Sequence, residues 1–205
     1  MQKKEANTFL KKVWYFIWYD DGFLSWIVNA ALAFIIIKFI VYPGLGFILA
    51  TSHPVVAVVS SSMEHDASFD PWWLAHGGWY TDRNITKEEF LTFQSKNGFN
   101  KGDIMILHGK EASKIEVGDI LVFKSSRPDP IIHRIVKKWK ENDEYFFQTK
   151  GDNGRTNPES IAKENVNEVK ISTERIVGVA IFRLPFLGWI KIIAVGLIDI
   201  IKGIW

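Results

Sequence analysis

The sequence predicts a mostly-β domain carried on an N-terminal transmembrane helix and followed by a C-terminal amphipathic or spanning helix. Three observations predict it. Both ends of the chain are apolar and the middle is polar. The run from Phe23 to Ala50 holds Lys38 as its only formal charge, and a span needs roughly 20 apolar residues. The polar middle is made of short Val- and Ile-rich runs at close spacing, separated by Gly, Asp, Asn and Pro, which read as strands.

The elements follow in order. Lys3, Lys4, Lys11 and Lys12 precede the apolar run, so the positive-inside rule puts residues 1–22 in the cytoplasm or its interface and residue 51 onward outside. Phe9–Tyr19, broken by Asp20-Asp21-Gly22, reads as a short helix lying in the membrane interface. Residues 23–50 form the anchor. Leu24–Tyr42 suffices for a span, and Pro43-Gly44 is expected to kink or end the helix. The run exceeds the roughly 7–15 residue apolar core of a cleaved signal.

Residues 51–185 form the extracytoplasmic β-rich domain, with an insertion at about 65–100. Residues 54–60 read as a strand. Residues 66–80 are a Pro- and Gly-punctuated aromatic cluster. Thr86-Lys87-Glu88-Glu89 fits a capping box for a short helix to about Ser95. Gly102-Asp103 and Gly118-Asp119 each feed an apolar strand, 104–107 and 120–123. Residues 131–139 and 144–150 flank Glu141-Asn142-Asp143 as a hairpin, and 174–184 give a last strand. Such a domain hides its edges by folding on itself. In Phe186–Trp205, Lys191 and Lys202 fall about 20° apart around a helix and Asp199 about 80° from Lys191. That narrow polar stripe on an apolar helix fits a second span or an interfacial helix. Trp72, Trp73, Trp79 and Trp189 are candidates for an aromatic patch dipping into lipid. Asn84-Ile85-Thr86 is a glycosylation sequon on the outer side.

A net charge of +2 gives no argument for nucleic acid, and the absence of cysteine excludes disulfides, zinc–thiolate sites and thiol nucleophiles.

The apolar run Val55–Val59 ends in Ser60-Ser61-Ser62-Met63. Serines close turns cheaply; a strand-end serine with a base beside it is a nucleophile. The bases available in the β domain are His133, His108, His76, His65 and Lys124. His133 lies inside an apolar strand, where an imidazole is costly unless hydrogen-bonded. Asp152 sits in a turn after a strand, and Glu159 follows shortly. Serine, histidine and acid need spatial proximity and no fixed chain order.

On these residues the chain resembles the type I signal peptidases, in their archaeal and endoplasmic-reticulum branch. Ser60-Ser61-Ser62-Met63-Glu64 is similar to that family's Ser-Gly-Ser-Met-Glu box after an N-terminal span. Gly118-Asp119-Ile120-Leu121-Val122-Phe123-Lys124 resembles the second box. Ile132-His133-Arg134-Ile135-Val136 resembles the third, in which this branch has histidine where bacterial relatives have a catalytic lysine. Lys150-Gly151-Asp152-Asn153 resembles the fourth. The chain departs from the pattern at Ser61 (usually Gly), at His65 (usually Pro), in the aromatic insertion Phe69–Tyr80, and in lacking an Asp shortly after the fourth box.

The resemblance implies a membrane-bound serine endopeptidase that removes signal peptides from secretory preproteins. It makes Ser62 the nucleophile, His133 the general base, and the Ser62 N–H and Ser60 hydroxyl the oxyanion donors. The acid is Asp152 or Glu159. Val55, Val56, Val58 and Met63 are expected to bind substrate, which adds as an extended strand along Val55–Val59. No metal or cofactor is needed. The expected surroundings are the cell membrane, its lipid, preproteins and the translocation machinery. Two other readings stand beside this one: a Ser62–Lys124 hydrolase, and a non-enzymatic membrane-tethered β-domain subunit.

Overall fold

In the computed structural model the described residues run from Gln2 to Gly203. The side chains of Lys3, Lys4, Asp199 and Lys202, which carry part of the expected flanking charge and polar stripe, lie outside the described residues. The chain divides into two compact units, residues 1–48 and 49–205.

In the first unit, α1 (Gln2–Trp18) turns at Asp20-Asp21-Gly22 into α2 (Phe23–Ile36). Two polar residues of the apolar α2 hold this turn. Ser25 Oγ donates to Phe16 O at 2.7 Å and Asn29 Nδ2 to Ile17 O at 2.9 Å. Both acceptors are carbonyls of the kind a helix C-terminus leaves without partners. Of the kink or end expected at Pro43-Gly44, the end does not occur. The helix passes through a π turn at Ile37–Val41 into α3 (Tyr42–Ile48), and Phe23–Ile48 is one 26-residue apolar helix, long enough to cross a membrane by length and composition. Proline lacks an N–H and its ring crowds the carbonyl four residues back. The π turn, in which Tyr42 N–H reaches Ile37 O, opens the ladder just ahead of Pro43 and accommodates the ring.

The second unit is built on one seven-stranded antiparallel sheet. Its strands are β1 (Val55–Ala57), β2 (Ile104–His108), β3 (Ile120–Phe123), β4 (Ile131–Glu141), β5 (Glu144–Lys150), β6 (Ile171–Ser172) and β7 (Ile176–Leu184), in the order β1-β2-β7-β3-β4-β5-β6. The sequence reading of mostly-β architecture agrees with this sheet. β3 is apolar at every position because both sheet faces are covered at the centre. Ile120 and Val122 enter one cluster with Val58, Met63 and Met105; Leu121 and Phe123 enter another with Ile135, Phe147 and Ile171. Asn142 and Asp143 take φ of 46° and 67°, the two-residue turn whose twist matches a hairpin.

β1 is shorter than the expected 54–60. Val58 N–H donates to Asp103 O and its carbonyl accepts from Gly102 N–H, both at 2.8 Å, so the chain leaves the sheet edge there. The aromatic stretch is a helix, α4 (Phe69–Thr81), followed by α5 (Lys87–Thr92). Pro71 lies in the first turn, where a missing N–H costs little. Gly77 and Gly78 each cost roughly 1 kcal/mol, and burial of Trp72 and Tyr80 against Phe90, Ile85 and Val136 offsets this. Thr86 caps α5 as expected, its Oγ1 accepting from Glu89 N–H at 3.1 Å.

The tryptophan patch needs correction. Trp72 is buried, with Trp73 and Trp79 packed around the same cluster. Only Trp189 of the four is exposed, at the start of α6 (Trp189–Gly203), close in the chain to exposed Phe182, Phe186, Leu187 and Ile190.

Candidate active site

β1 leads into the Ser60–Met63 turn. Ser60 Oγ and Ser62 Oγ are 3.1 Å apart, and Ser62 is half-buried. The turn is held from beneath by the segment that follows β5. Asn153 N–H donates to Ser62 O at 2.9 Å, and Asn153 Nδ2 donates to Ser61 O at 3.0 Å. Gly151 is glycine for a steric reason: a Cβ there would lie 2.6 Å from Ser62 O.

Arg134 and Lys150 form the end pair of the β4–β5 ladder. His133 is the residue next to that pair on β4, and Gly151, packed on Ser62 O, is the residue next to it after β5. The His133 side chain is 4% exposed.

His133 Nδ1 hydrogen-bonds Glu168 Oε1. Glu168 is fully buried and fixed on both oxygens. Oε1 also accepts from Thr149 Oγ1 at 3.1 Å, and Oε2 accepts from Ile161 N–H at 2.7 Å. A carboxylate on Nδ1 keeps the proton on that nitrogen and leaves the Nε2 lone pair free to accept one. Nε2 has no hydrogen-bond partner among the described residues.

The two acids named from the sequence stand elsewhere. Asp152 is fully buried in an ion pair: Arg134 Nη2 donates to Oδ2 at 2.6 Å, Arg134 Nε reaches Oδ1 at 3.0 Å, and Tyr80 OH donates to Oδ1 at 3.0 Å. Burial alone raises its pKa; the Arg134 guanidinium and the His65 hydrogen bond outweigh that and hold the carboxyl well below the usual range. Glu159 is mostly exposed, accepting from Trp79 Nε1 at 2.6 Å and pairing with Arg83 at 3.4 Å. Neither is bonded to His133. For Asp152 this follows from strand parity: Arg134 and His133 are neighbours on β4 and point to opposite faces, so the acid that pairs with Arg134 is turned from His133.

Glu168 is not singled out by the sequence, because no local pattern marks it. It lies in a polar stretch, Asn165-Val166-Asn167-Glu168, and it is the fold that buries it. The available signal was the buried His133 itself, which demands a partner.

Of the residues expected to bind substrate, Val55 and Val56 are half-buried on the edge strand β1. Val58 and Met63 are core residues, at 1% and 0% exposure; large apolar side chains beside a hydrophobic cluster are more stable inside it than facing a groove. Lys124 is exposed and lines a separate cleft of about 200 Å³ with His53, Arg127 and Pro128. It lies about 10 Å along β3 from Leu121, the partner of His133.

Lys150 is a second buried cation at this end of the sheet. Its Nζ donates to Gly151 O at 2.8 Å and faces the rings of Trp79 and Tyr80, 5.1 Å from each centroid. Burial pushes it down to about 8, against the upward pull of Asp152, Glu159 and Glu168. Its unfolded value is near 10.5, so between those limits the unfolded chain binds more protons, and stability rises with pH. Below pH 8 the folded protein carries a charge its surroundings disfavour, by an amount of order 3 kcal/mol. Lys150→Met is therefore expected to raise the melting temperature at pH 7, with the difference from the parent shrinking as pH climbs from 8 to 10.5. Melting curves of both forms across that range check this; a difference that does not change with pH contradicts it.

The chain resembles known proteins over most of its length. It is 27% identical over 179 residues to signal peptidase complex catalytic subunit SEC11C of Homo sapiens, covering 86% of this chain and 72% of the relative. It is 32% identical over 152 residues to signal peptidase complex catalytic subunit sec11 of Schizosaccharomyces pombe, covering 74% of this chain and 72% of the relative. No family model matches. These likenesses put the chain in the class of type I signal peptidases, in their archaeal and endoplasmic-reticulum branch. Within that class it belongs to the family of signal peptidase complex catalytic subunits.

Proposed function

We propose that this protein is a membrane-bound serine endopeptidase that cleaves N-terminal signal peptides from secretory preproteins, with Ser62 as nucleophile, His133 as general base and Glu168 as its acid partner. The observation that carries this reading is the buried Glu168 carboxylate on His133 Nδ1, beside a strand-end turn where two serine hydroxyls meet. The Phe23–Ile48 helix anchors the chain with its N-terminus in the cytoplasm and its sheet outside. Exposed Phe182, Phe186, Leu187 and Trp189 support contact of the second unit with lipid.

The proposed steps are these. Substrate adds as an extended strand along the free edge of β1, with small side chains before the scissile bond. Ser62 Oγ attacks the carbonyl carbon while its proton passes to His133 Nε2. The oxyanion is held by the Ser62 N–H and the Ser60 hydroxyl; a single such donor is worth roughly 3–4 kcal/mol. Glu168 stabilises the imidazolium. The intermediate collapses, the C–N bond breaks, and His133 gives its proton to the leaving amine, the new N-terminus of the mature protein. Water then attacks the ester, its proton passing to His133 and on to Ser62 Oγ, which frees the signal peptide carboxylate.

The test is preprotein cleavage by the purified full chain in detergent. His133→Ala is expected to lose activity, and Lys124→Ala to retain the parent rate. Loss of activity in Lys124→Ala with retention in His133→Ala overturns the reading in favour of a serine–lysine pair.

A further inference from the structure

The chain leaves the serine turn at Glu64 and returns at Gly98, which bridge one another as neighbouring backbone segments, with Phe99 N–H on Met63 O at 3.0 Å. Everything between is the helical excursion that holds α4 and α5. Its interior side chains do not only pack on each other. Four of its groups reach the Asp152–Arg134 ion pair. Tyr80, fully buried, donates its hydroxyl to Asp152 Oδ1 at 3.0 Å. The carbonyls of Gln94 and Ser95 each accept from the Arg134 guanidinium at 2.9 Å. His65, at the root of the excursion, has Nε2 3.4 Å from Asp152 Oδ2 and stacks on Trp72 with ring centroids 3.7 Å apart.

A buried ion pair holds its place only when its remaining donors and acceptors are matched. Here the excursion supplies much of that matching. The pair in turn borders the nucleophile. Asp152 N–H meets Met63 Sδ at 3.4 Å, and Asn153, the next residue, binds the carbonyls of both Ser61 and Ser62.

We propose that the excursion is part of the catalytic scaffold, and that Tyr80 is a positioning residue that acts through Asp152 and Asn153 on the Ser61–Ser62 turn. This rests on the reading of Ser62 as nucleophile. Without the Tyr80 hydroxyl, Asp152 Oδ1 keeps only Arg134 Nε, and the turn that fixes both serine carbonyls loosens. Misplacement of a nucleophile by about 1 Å costs up to about 100-fold in rate; a partial loosening costs less.

Tyr80→Phe deletes the hydroxyl and keeps the ring. In the full chain in detergent, kcat on a preprotein is expected to fall about 10-fold with KM unchanged, measured well below the melting temperature. Combined with Asn153→Ala, Tyr80→Phe is expected to add no further loss, because both act on one turn. Phe69→Leu is the control: Phe69 packs against the same aromatic cluster through Trp72, Trp73 and Phe90, and its variant is expected to lose stability while keeping kcat. Parent-like kcat in Tyr80→Phe, or an equal fall in Phe69→Leu, overturns the inference. An active Ser62→Ala overturns instead the reading on which it rests, so the two failures are told apart.

Discussion

Replacing Ser62 with Ala is expected to abolish preprotein cleavage, with kcat falling by about 10⁶-fold. In the proposed mechanism its hydroxyl is the attacking group. Ser60 Oγ is 3.1 Å away and is assigned by the same proposal to the oxyanion. Ser62 is half-buried in a turn held through its backbone, so the variant keeps its fold. Parent-like melting together with lost cleavage, measured on the same preparation, separates chemistry from folding. Full activity in the variant removes Ser62 from the mechanism.

The three acids give the second large effect. Glu168→Gln is expected to lower kcat by about 10⁴-fold. An amide at that position cannot stabilise the imidazolium, and its N–H group competes for the tautomer His133 must hold. Asp152→Asn acts elsewhere. It leaves the buried Arg134 guanidinium without its counter-charge, a loss of about 3–5 kcal/mol in stability. Glu159→Gln touches an exposed pair with Arg83 and a hydrogen bond from Trp79 Nε1 that an amide oxygen can still accept, and is expected to match the parent. Rates and melting temperatures of the three variants side by side check this ordering. A Glu159→Gln or Asp152→Asn variant that loses kcat as Glu168→Gln does, at parent-like stability, contradicts it.

Local patterns carried much of the architecture. The apolar runs of β2, β3 and β7, the Glu141–Asp143 hairpin and the Thr86 cap are all written in neighbouring residues. Ser62 and His133 were legible as candidates because each sits oddly in its setting, three hydroxyls at a strand end and an imidazole inside an apolar strand. What the sequence did not show depends on contacts far apart in the chain. Glu168 meets His133 across 35 residues, and nothing around it signals burial. Asp152, close to a recognisable box, drew attention that its partner Arg134 explains better. The α4 stretch, with Pro71, Gly77 and Gly78, lacks helix formers. It is helical because Trp72 and Tyr80 find a cluster to enter. Pro43 reads as a helix end, yet a single π turn lets the helix pass.

The most direct measurement is acid-quenched single-turnover cleavage of a preprotein by the full chain, with mass spectrometry of the enzyme peptides. The account predicts an ester joining the carboxyl end of the signal peptide to Ser62 Oγ, present in the parent at short times and absent in His133→Ala and Glu168→Gln. An ester on another residue, or cleavage at the parent rate by Ser62→Ala, would contradict it.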